Sequence, residues 1–67
     1  MNSNHRKLQI IRSLGGQPKT IREVARGQRI SYQTARNYLS DLLKAEIAEK
    51  YNLGNPIRYI VPLEKLK

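Results

Sequence analysis

Polar side chains able to form directed hydrogen bonds recur at helical spacing in the stretch 31–45. They are Gln33, Arg36, Asn37, Ser40 and Lys44. Ala35, Leu39, Leu42 and Leu43 fall on the opposite side at i, i+4, i+7 and i+8, which predicts an amphipathic helix. Amide and guanidinium groups present two hydrogen-bonding atoms side by side, so they can read the edges of bases. A solvated helix face has the same pattern, and the surrounding sequence must decide between these interpretations.

The charge of the chain favours a polyanionic partner. Thirteen Lys and Arg oppose five Asp and Glu among 67 residues, which gives a net charge of +8. Such an excess is typical of nucleic-acid-binding domains, although some small ribosomal and thermophilic proteins share it. An acidic membrane surface is disfavoured because no helix sets Lys and Arg opposite bulky apolar residues. No apolar run is long enough to span a membrane, and no signal peptide is seen.

Catalytic and metal-binding chemistry has little support in the sequence. The length predicts a single domain, 1–67. No cysteine is present, so thiolate metal sites, disulfides and thiol catalysis are excluded. The lone His5 stands beside Arg6 and Lys7, the carboxylates are scattered, and no Gly-rich phosphate loop follows a strand. We therefore expect no enzyme activity, no metal and no cofactor.

Two helices are predicted ahead of the polar stretch. The first covers 5–14, with Leu8, Ile11 and Leu14 facing inward and Ile10 widening this stripe. Gly15-Gly16 ends it, because glycine tolerates the left-handed conformation common after a helix. The second covers 20–27, where Thr20 and Glu23 form a T-x-x-E capping box. The connector 17–19 is a short edge strand at most, since Pro18 lacks an N–H.

A β-hairpin is predicted after the polar stretch. The segments 47–51 and 57–61 have strand-like composition, and the second alternates apolar and polar residues. The turn-forming sequence N-L-G-N-P lies between them. Pro62 ends the second strand. The fold class is therefore α+β, with three helices followed by a two-stranded hairpin.

This order of elements resembles the winged helix-turn-helix family. T-I-R-E-V-A is similar to the second helix of that family, I-S-Y-Q-T-A-R-N-Y-L to its turn and recognition helix, and L-L-K-A-E-I-A-E-K to its run into the wing. A narrower likeness, in R-I-S-Y-Q-T-A, is to the DNA-orienting end domain of chromosome-partitioning translocases, itself a winged helix. Arg29 and Glu46 stand where the family often has glycine. Either the turns differ here or these residues adopt a strained backbone.

The resemblance implies a small prokaryotic, archaeal or viral regulator of transcription that binds double-stranded DNA at the nucleoid, in the cytoplasm. The residues expected to read bases are Gln33, Arg36, Asn37 and Ser40. Those expected to contact the backbone are Thr20, Arg22, Arg26, Arg29, Tyr32, Thr34 and Lys44. The wing contributes Lys50, Asn52, Asn55 and Arg58. Tyr32 has an alternative role in packing on the second helix, and Thr34 one in covering the helix junction.

Two other functions stay open. An RNA-binding or ribosome-associated protein would shift its contacts to the wing and the aromatic residues. A protein-interaction winged helix would use the exposed face of the third helix instead. A homodimer is compatible with the sequence, and its expected contact patch is formed by Ile10, Tyr38, Ile60 and Leu66.

Overall fold

The computed structural model describes residues 3–51 and 56–66. The elements are α1 (Ser3–Leu14), α2 (Ile21–Gln28), α3 (Tyr32–Lys44), β1 (Glu49–Tyr51), β2 (Arg58–Ile60) and a 3-10 helix (Leu63–Leu66). Strands β1 and β2 pair antiparallel, with Lys50 opposite Tyr59. The predicted α+β class, three helices followed by a two-stranded hairpin, is confirmed.

Helix α1 contributes Ile10 and Leu14 to the core, and both side chains are fully buried. Leu8 is 45% exposed, so its predicted place in the inward stripe is wrong. Ile11 only borders the core, because the stripe is centred on the i, i+4 pair of Ile10 and Leu14. Ile10 cannot belong to the predicted dimer patch either, since its fully buried side chain cannot contact a partner.

The segment after α1 joins the hairpin. Gly16 has a φ of +67°, and its N–H donates to the carbonyl of Val61 at 3.0 Å. Lys19 and Tyr59 exchange two backbone hydrogen bonds, of 2.9 and 2.7 Å. The predicted edge strand 17–19 is reduced to one bridge at Lys19, because Val61 pairs with Leu14 and Gly16 instead of with Gln17. Strand β2 thus lies between Lys19 and β1.

The capping signals of α2 and α3 are confirmed. Thr20 donates its N–H to Oε1 of Glu23 at 2.8 Å, and the N–H of Glu23 donates to Oγ1 of Thr20 at 3.1 Å. Ser31 caps α3, where its Oγ accepts from the N–H of Thr34 at 3.1 Å. The small residue Ala25 is buried on the helix that packs most extensively against α3. The short connection and the two caps hold α3 against α2.

Both positions where the winged helix-turn-helix family often has glycine adopt a left-handed backbone here. Arg29 has a φ of 57° and Glu46 a φ of 59°. For a residue with a Cβ, this conformation costs about 1 kcal/mol. The strained backbone that the sequence left open is therefore observed at both residues. The Nζ of Lys65 donates to the carbonyl of Glu46, so the 3-10 helix also supports the turn that leads into the hairpin.

Candidate nucleic-acid interface

Helix α3 has one buried face and one polar face. Ala35, Leu39 and Leu42 are buried. Four of the predicted contact residues on the other side are exposed, and Ser40 is half-buried. The exposed ones are Gln33, Arg36, Asn37 and Lys44. The helix therefore presents its hydrogen-bonding groups to solvent while its apolar stripe anchors it to the core.

The two amides of this polar face bond to each other. Nε2 of Gln33 donates to Oδ1 of Asn37 at 3.1 Å, across one turn of the helix. Oε1 of Gln33 and Nδ2 of Asn37 are left as an acceptor and a donor that can face outward. An adenine edge in the major groove presents one acceptor and one donor. The amide pair is therefore chemically complementary to such an edge.

The first turn of α3 carries Tyr32 and Thr34, whose roles were left open. Tyr32 is 51% exposed, so half of its side chain is available to a ligand. Thr34 belongs to the helix cap, because Oγ of Ser31 donates to its Oγ1 at 2.8 Å. The hydroxyl of Thr34 can still donate a hydrogen bond to another acceptor, such as a phosphate oxygen. Lys44, at the other end, lies roughly 18 Å along the helix from Tyr32.

The outer surface of α2 is basic. Arg22 and Arg26 are exposed one turn apart, and Arg29 is exposed at the left-handed cap that follows. Gln28, at the end of α2, uses its carbonyl to accept from Nη1 of Arg6 at 2.5 Å, which ties α1 to the end of this helix. No polar or charged residue is buried in the described ranges, so these cations remain at the surface.

The start of α2, which was predicted to contact phosphate, has one of its N–H groups engaged within the helix cap. The N–H of Thr20 is already bonded to the carboxylate of Glu23. That backbone hydrogen bond is the main reason why the pKa of Glu23 is lowered, with smaller contributions from the Thr20 hydroxyl, Arg58 and Lys19. An anion at this helix start would meet the charge of Glu23 before it met the helix dipole. The cations beside the helix start are therefore better phosphate candidates than Thr20 itself.

The hairpin places two of its predicted contact residues on the surface. Lys50 and Arg58 are both exposed, and Arg58 lies close enough to Glu23 to act on its pKa. The basic hairpin and the start of α2 therefore form one continuous surface. Asn52 and Asn55, predicted at the tip, lie outside the described residues.

A groove of about 560 Å³ runs between the start of α2, the start of α3 and the hairpin. Its lining residues are Thr20, Ile21, Arg22, Tyr32, Pro56, Ile57 and Tyr59. The sequence prediction did not include Ile21, Pro56, Ile57 and Tyr59. Pro56 was assigned to the hairpin turn, and the other three were assigned to packing because of their helix or strand spacing. The alternation Ile57, Tyr59, Val61 was the available signal, since it places all three on one face of the hairpin.

Other kinds of site are not visible in the part of the chain that the structure describes. Its histidine and carboxylates form no group of three or more that could hold a metal ion. His5 is exposed in the first helix. Within the same residues, no helix combines the length and the apolar character needed to cross a membrane.

The chain was compared with protein-family models, with curated proteins and with solved structures. No family model, no curated protein and no solved structure matches it. Its function has to be inferred from the geometry described above.

Proposed function

We propose that this chain is a winged helix-turn-helix protein that binds double-stranded DNA, with α3 in the major groove and the hairpin on the adjacent backbone or minor groove. The observation that supports this most strongly is the polar face of α3, where Gln33, Arg36 and Asn37 are exposed opposite a buried apolar stripe. A B-form major groove is about 12 Å wide and admits one helix. Arginine suits guanine there, and the Gln33–Asn37 pair suits adenine.

The backbone contacts in this proposal come from cations beside α3. Arg22 and Arg26 lie on the helix that crosses the backbone in this architecture, Arg29 follows it, and Lys50 and Arg58 lie on the hairpin. All five side chains are exposed. Each neutralised phosphate releases counterions, so these contacts supply affinity that does not depend on sequence. The positions of these cations fit a role in binding the DNA backbone, while the polar residues of α3 contact the bases.

A protein of this kind occupies a duplex site and so acts on transcription. With the net charge of +8, it would reside on nucleoid DNA in the cytoplasm. Two copies on half-sites one helical turn apart would gain affinity without an extended interface between them. Regulation would then depend on concentration, a partner or self-association.

An RNA ligand is the main rival, and two exposed tyrosines favour it. Tyr32 is 51% and Tyr51 is 40% exposed, and RNA-binding domains stack unpaired bases on such rings. The major groove of A-form RNA is too narrow for a helix, so RNA would bypass the polar face of α3. Mutation of Arg36 therefore separates the two ligands: it should weaken DNA binding and leave RNA binding nearly unchanged.

The test is a set of titrations at matched salt against duplex DNA, duplex RNA and single strands of each. We expect the tightest binding to duplex DNA, with a slope of log K against log salt on the order of −4 to −5 for five phosphate contacts. A slope near zero would remove the electrostatic basis of the proposal. A preference for RNA at every salt concentration would show that the chain is an RNA-binding protein instead.

A further inference from the structure

The groove between α2, α3 and the hairpin is lined mainly by apolar and aromatic residues. Along one face of the hairpin, Val61 is fully buried, Tyr59 is half-buried and Ile57 is 43% exposed. The apolar face therefore continues past the edge of the core into the groove. Tyr32, 51% exposed, lines the same groove. In a surface that otherwise carries a strong positive charge, these apolar groups form a separate feature.

The shape and the chemistry of this groove fit a flat ligand that carries a negative charge. Its volume of about 560 Å³ lies in the range of small-ligand sites. The walls are mainly aliphatic and aromatic, and the polar lining consists of Thr20 and the cation Arg22. The backbone N–H of Thr20 is bonded to Glu23, so the charge that attracts an anion comes from Arg22.

We propose that the groove binds a nucleobase that is unstacked from the duplex held by α3, with Arg22 on the adjoining phosphate. This rests on the DNA-binding function proposed above and specifies the DNA structure it prefers. In a continuous duplex the flat faces of the bases are stacked inside, so they cannot pack on these apolar walls. An unpaired base exposes a face that stacks on a tyrosine and packs on Ile57. The preferred ligand is therefore a duplex that carries an unpaired nucleotide, such as a bulge or a junction with a single strand.

The energetics favour a base that is already unpaired. Extruding a paired base costs a few kcal/mol of pairing and stacking, whereas a bulged base has lost most of this before binding. Stacking one base on an aromatic side chain contributes on the order of tenfold or more in affinity, and it is tolerant of sequence because every base has a flat face. The groove thus adds a preference for DNA structure to the reading of sequence by α3.

The experiment compares one duplex with and without a single bulged thymidine at the same salt. We expect the bulged duplex to bind on the order of tenfold tighter to the unmodified chain. Tyr32→Ala should remove this preference, and Tyr32→Phe should keep it, because stacking needs the ring and not the hydroxyl. Ile57→Ala, on the opposite wall, should reduce it. Tyr51→Ala is the matched control, since Tyr51 is an exposed hairpin tyrosine that does not line the groove.

A second readout reports stacking directly. With 2-aminopurine as the unpaired base, its fluorescence should be quenched on binding to the unmodified chain and to Tyr51→Ala, and not on binding to Tyr32→Ala. Equal affinity of the unmodified chain for the two duplexes, or equal quenching by Tyr32→Ala, would overturn the groove proposal while the duplex-binding function stands. If neither duplex binds with a salt-dependent affinity, the DNA-binding function itself fails.

Discussion

The polar face of α3 and the basic surface of α2 and the hairpin are both open to solvent, but they differ in charge and in internal bonding. On α3, Gln33 and Asn37 are short side chains that hold each other across one helical turn. On the other surface, long cations such as Arg22 and Arg26 are exposed, and Glu23 is the carboxylate beside the start of α2. Amides and a guanidinium placed against a base edge form directed hydrogen bonds, whereas cations placed against phosphates act mainly through charge.

This contrast separates two parts of binding. Directed groups discriminate between bases because a mismatched partner leaves a polar atom without a hydrogen bond. Charges with flexible stems raise affinity for every sequence and respond to salt. If the proposed function is right, a substitution on one surface should change a different measured quantity from a substitution on the other. Substitutions on each surface therefore test whether base discrimination and salt-dependent affinity change separately.

The largest effect is expected from the polar face of α3. Arg36→Ala and Asn37→Ala should each cost roughly 1–3 kcal/mol of discrimination at one base position. Stability should change little, because both side chains are exposed. Arg26→Ala should instead lower affinity for all duplexes alike and reduce the salt slope by about one unit. The measurement is the affinity for a selected duplex and for a scrambled one at the same salt.

A matched control for these variants is Arg12→Ala. Arg12 is exposed in the last turn of α1, a helix that belongs to neither surface, and its loss changes the net charge by the same amount. It should leave the discrimination unchanged and the salt slope nearly so. Should Arg36→Ala and Arg26→Ala weaken the two duplexes in equal proportion, α3 does not read sequence.

Local sequence patterns predicted the parts of this comparison that depend on neighbours along the chain. The capping box at Thr20, the cap at Ser31 and the apolar stripe of α3 are set by spacing within one or two turns. For the same reason, the exposed face of α3 could be predicted before the structure was known. The left-handed backbone at Arg29 and Glu46 could be placed only as one of two options, because arginine and glutamate have no intrinsic preference for it.

The features that the sequence did not predict depend on distant packing. Helix α1 has apolar residues on nearly two faces, and only contact with the rest of the core determines that Ile10 is buried and Leu8 exposed. The groove likewise forms where three elements end, so the exposure of Ile57 follows from how far the core extends beneath the hairpin. The hydrogen bond between Thr20 and Glu23 was predicted. That it places a negative charge where a phosphate would approach the start of α2 was not predicted.

Arg29 and Glu46 both have a left-handed backbone, but only Arg29 lies on the basic surface of α2 and the hairpin. Arg29→Gly and Glu46→Gly should each raise the free energy of unfolding by about 0.5–1 kcal/mol, since relief of strain exceeds the added entropy of the unfolded chain. Only Arg29→Gly should reduce the salt slope for DNA, by about one unit. Chemical denaturation and salt titrations measure the two effects. A lower stability in both variants would show that neither turn is strained.

A smaller effect is expected from the hairpin. Arg58→Ala should weaken binding to all duplexes by a similar factor, corresponding to roughly 0.5 kcal/mol for one exposed ionic contact. Its melting temperature should stay nearly unchanged, because Arg58 is exposed. Affinities for the selected and scrambled duplexes, with a melting curve, are the measurements. If the ratio of the two affinities changed, Arg58 would contribute to base discrimination and not only to backbone binding.

The smallest effect concerns the carboxylate that interrupts the basic surface. The pKa of Glu23 is lowered below 4.5, first by the backbone N–H of Thr20. A carboxyl whose pKa is lower in the folded state stabilises the fold above its unfolded pKa, and this contribution is lost as pH falls through the folded pKa. Thermal melting of the unmodified chain should therefore show a loss of stability below about pH 4.5 that is smaller in Glu23→Gln.

A variant of the other partner separates charge from capping in that experiment. Thr20→Ala removes the hydroxyl that accepts from the N–H of Glu23, so stability should fall by about 1 kcal/mol at every pH. Most of the acid dependence should remain, because the N–H of Thr20 still donates to the carboxylate. Glu23→Gln should in addition raise affinity for all duplexes slightly, since it removes the anion beside Arg58. An acid transition in Glu23→Gln that coincides with that of the unmodified chain would mean that this carboxylate does not contribute to stability, and an unchanged affinity would mean that phosphates do not approach the start of α2.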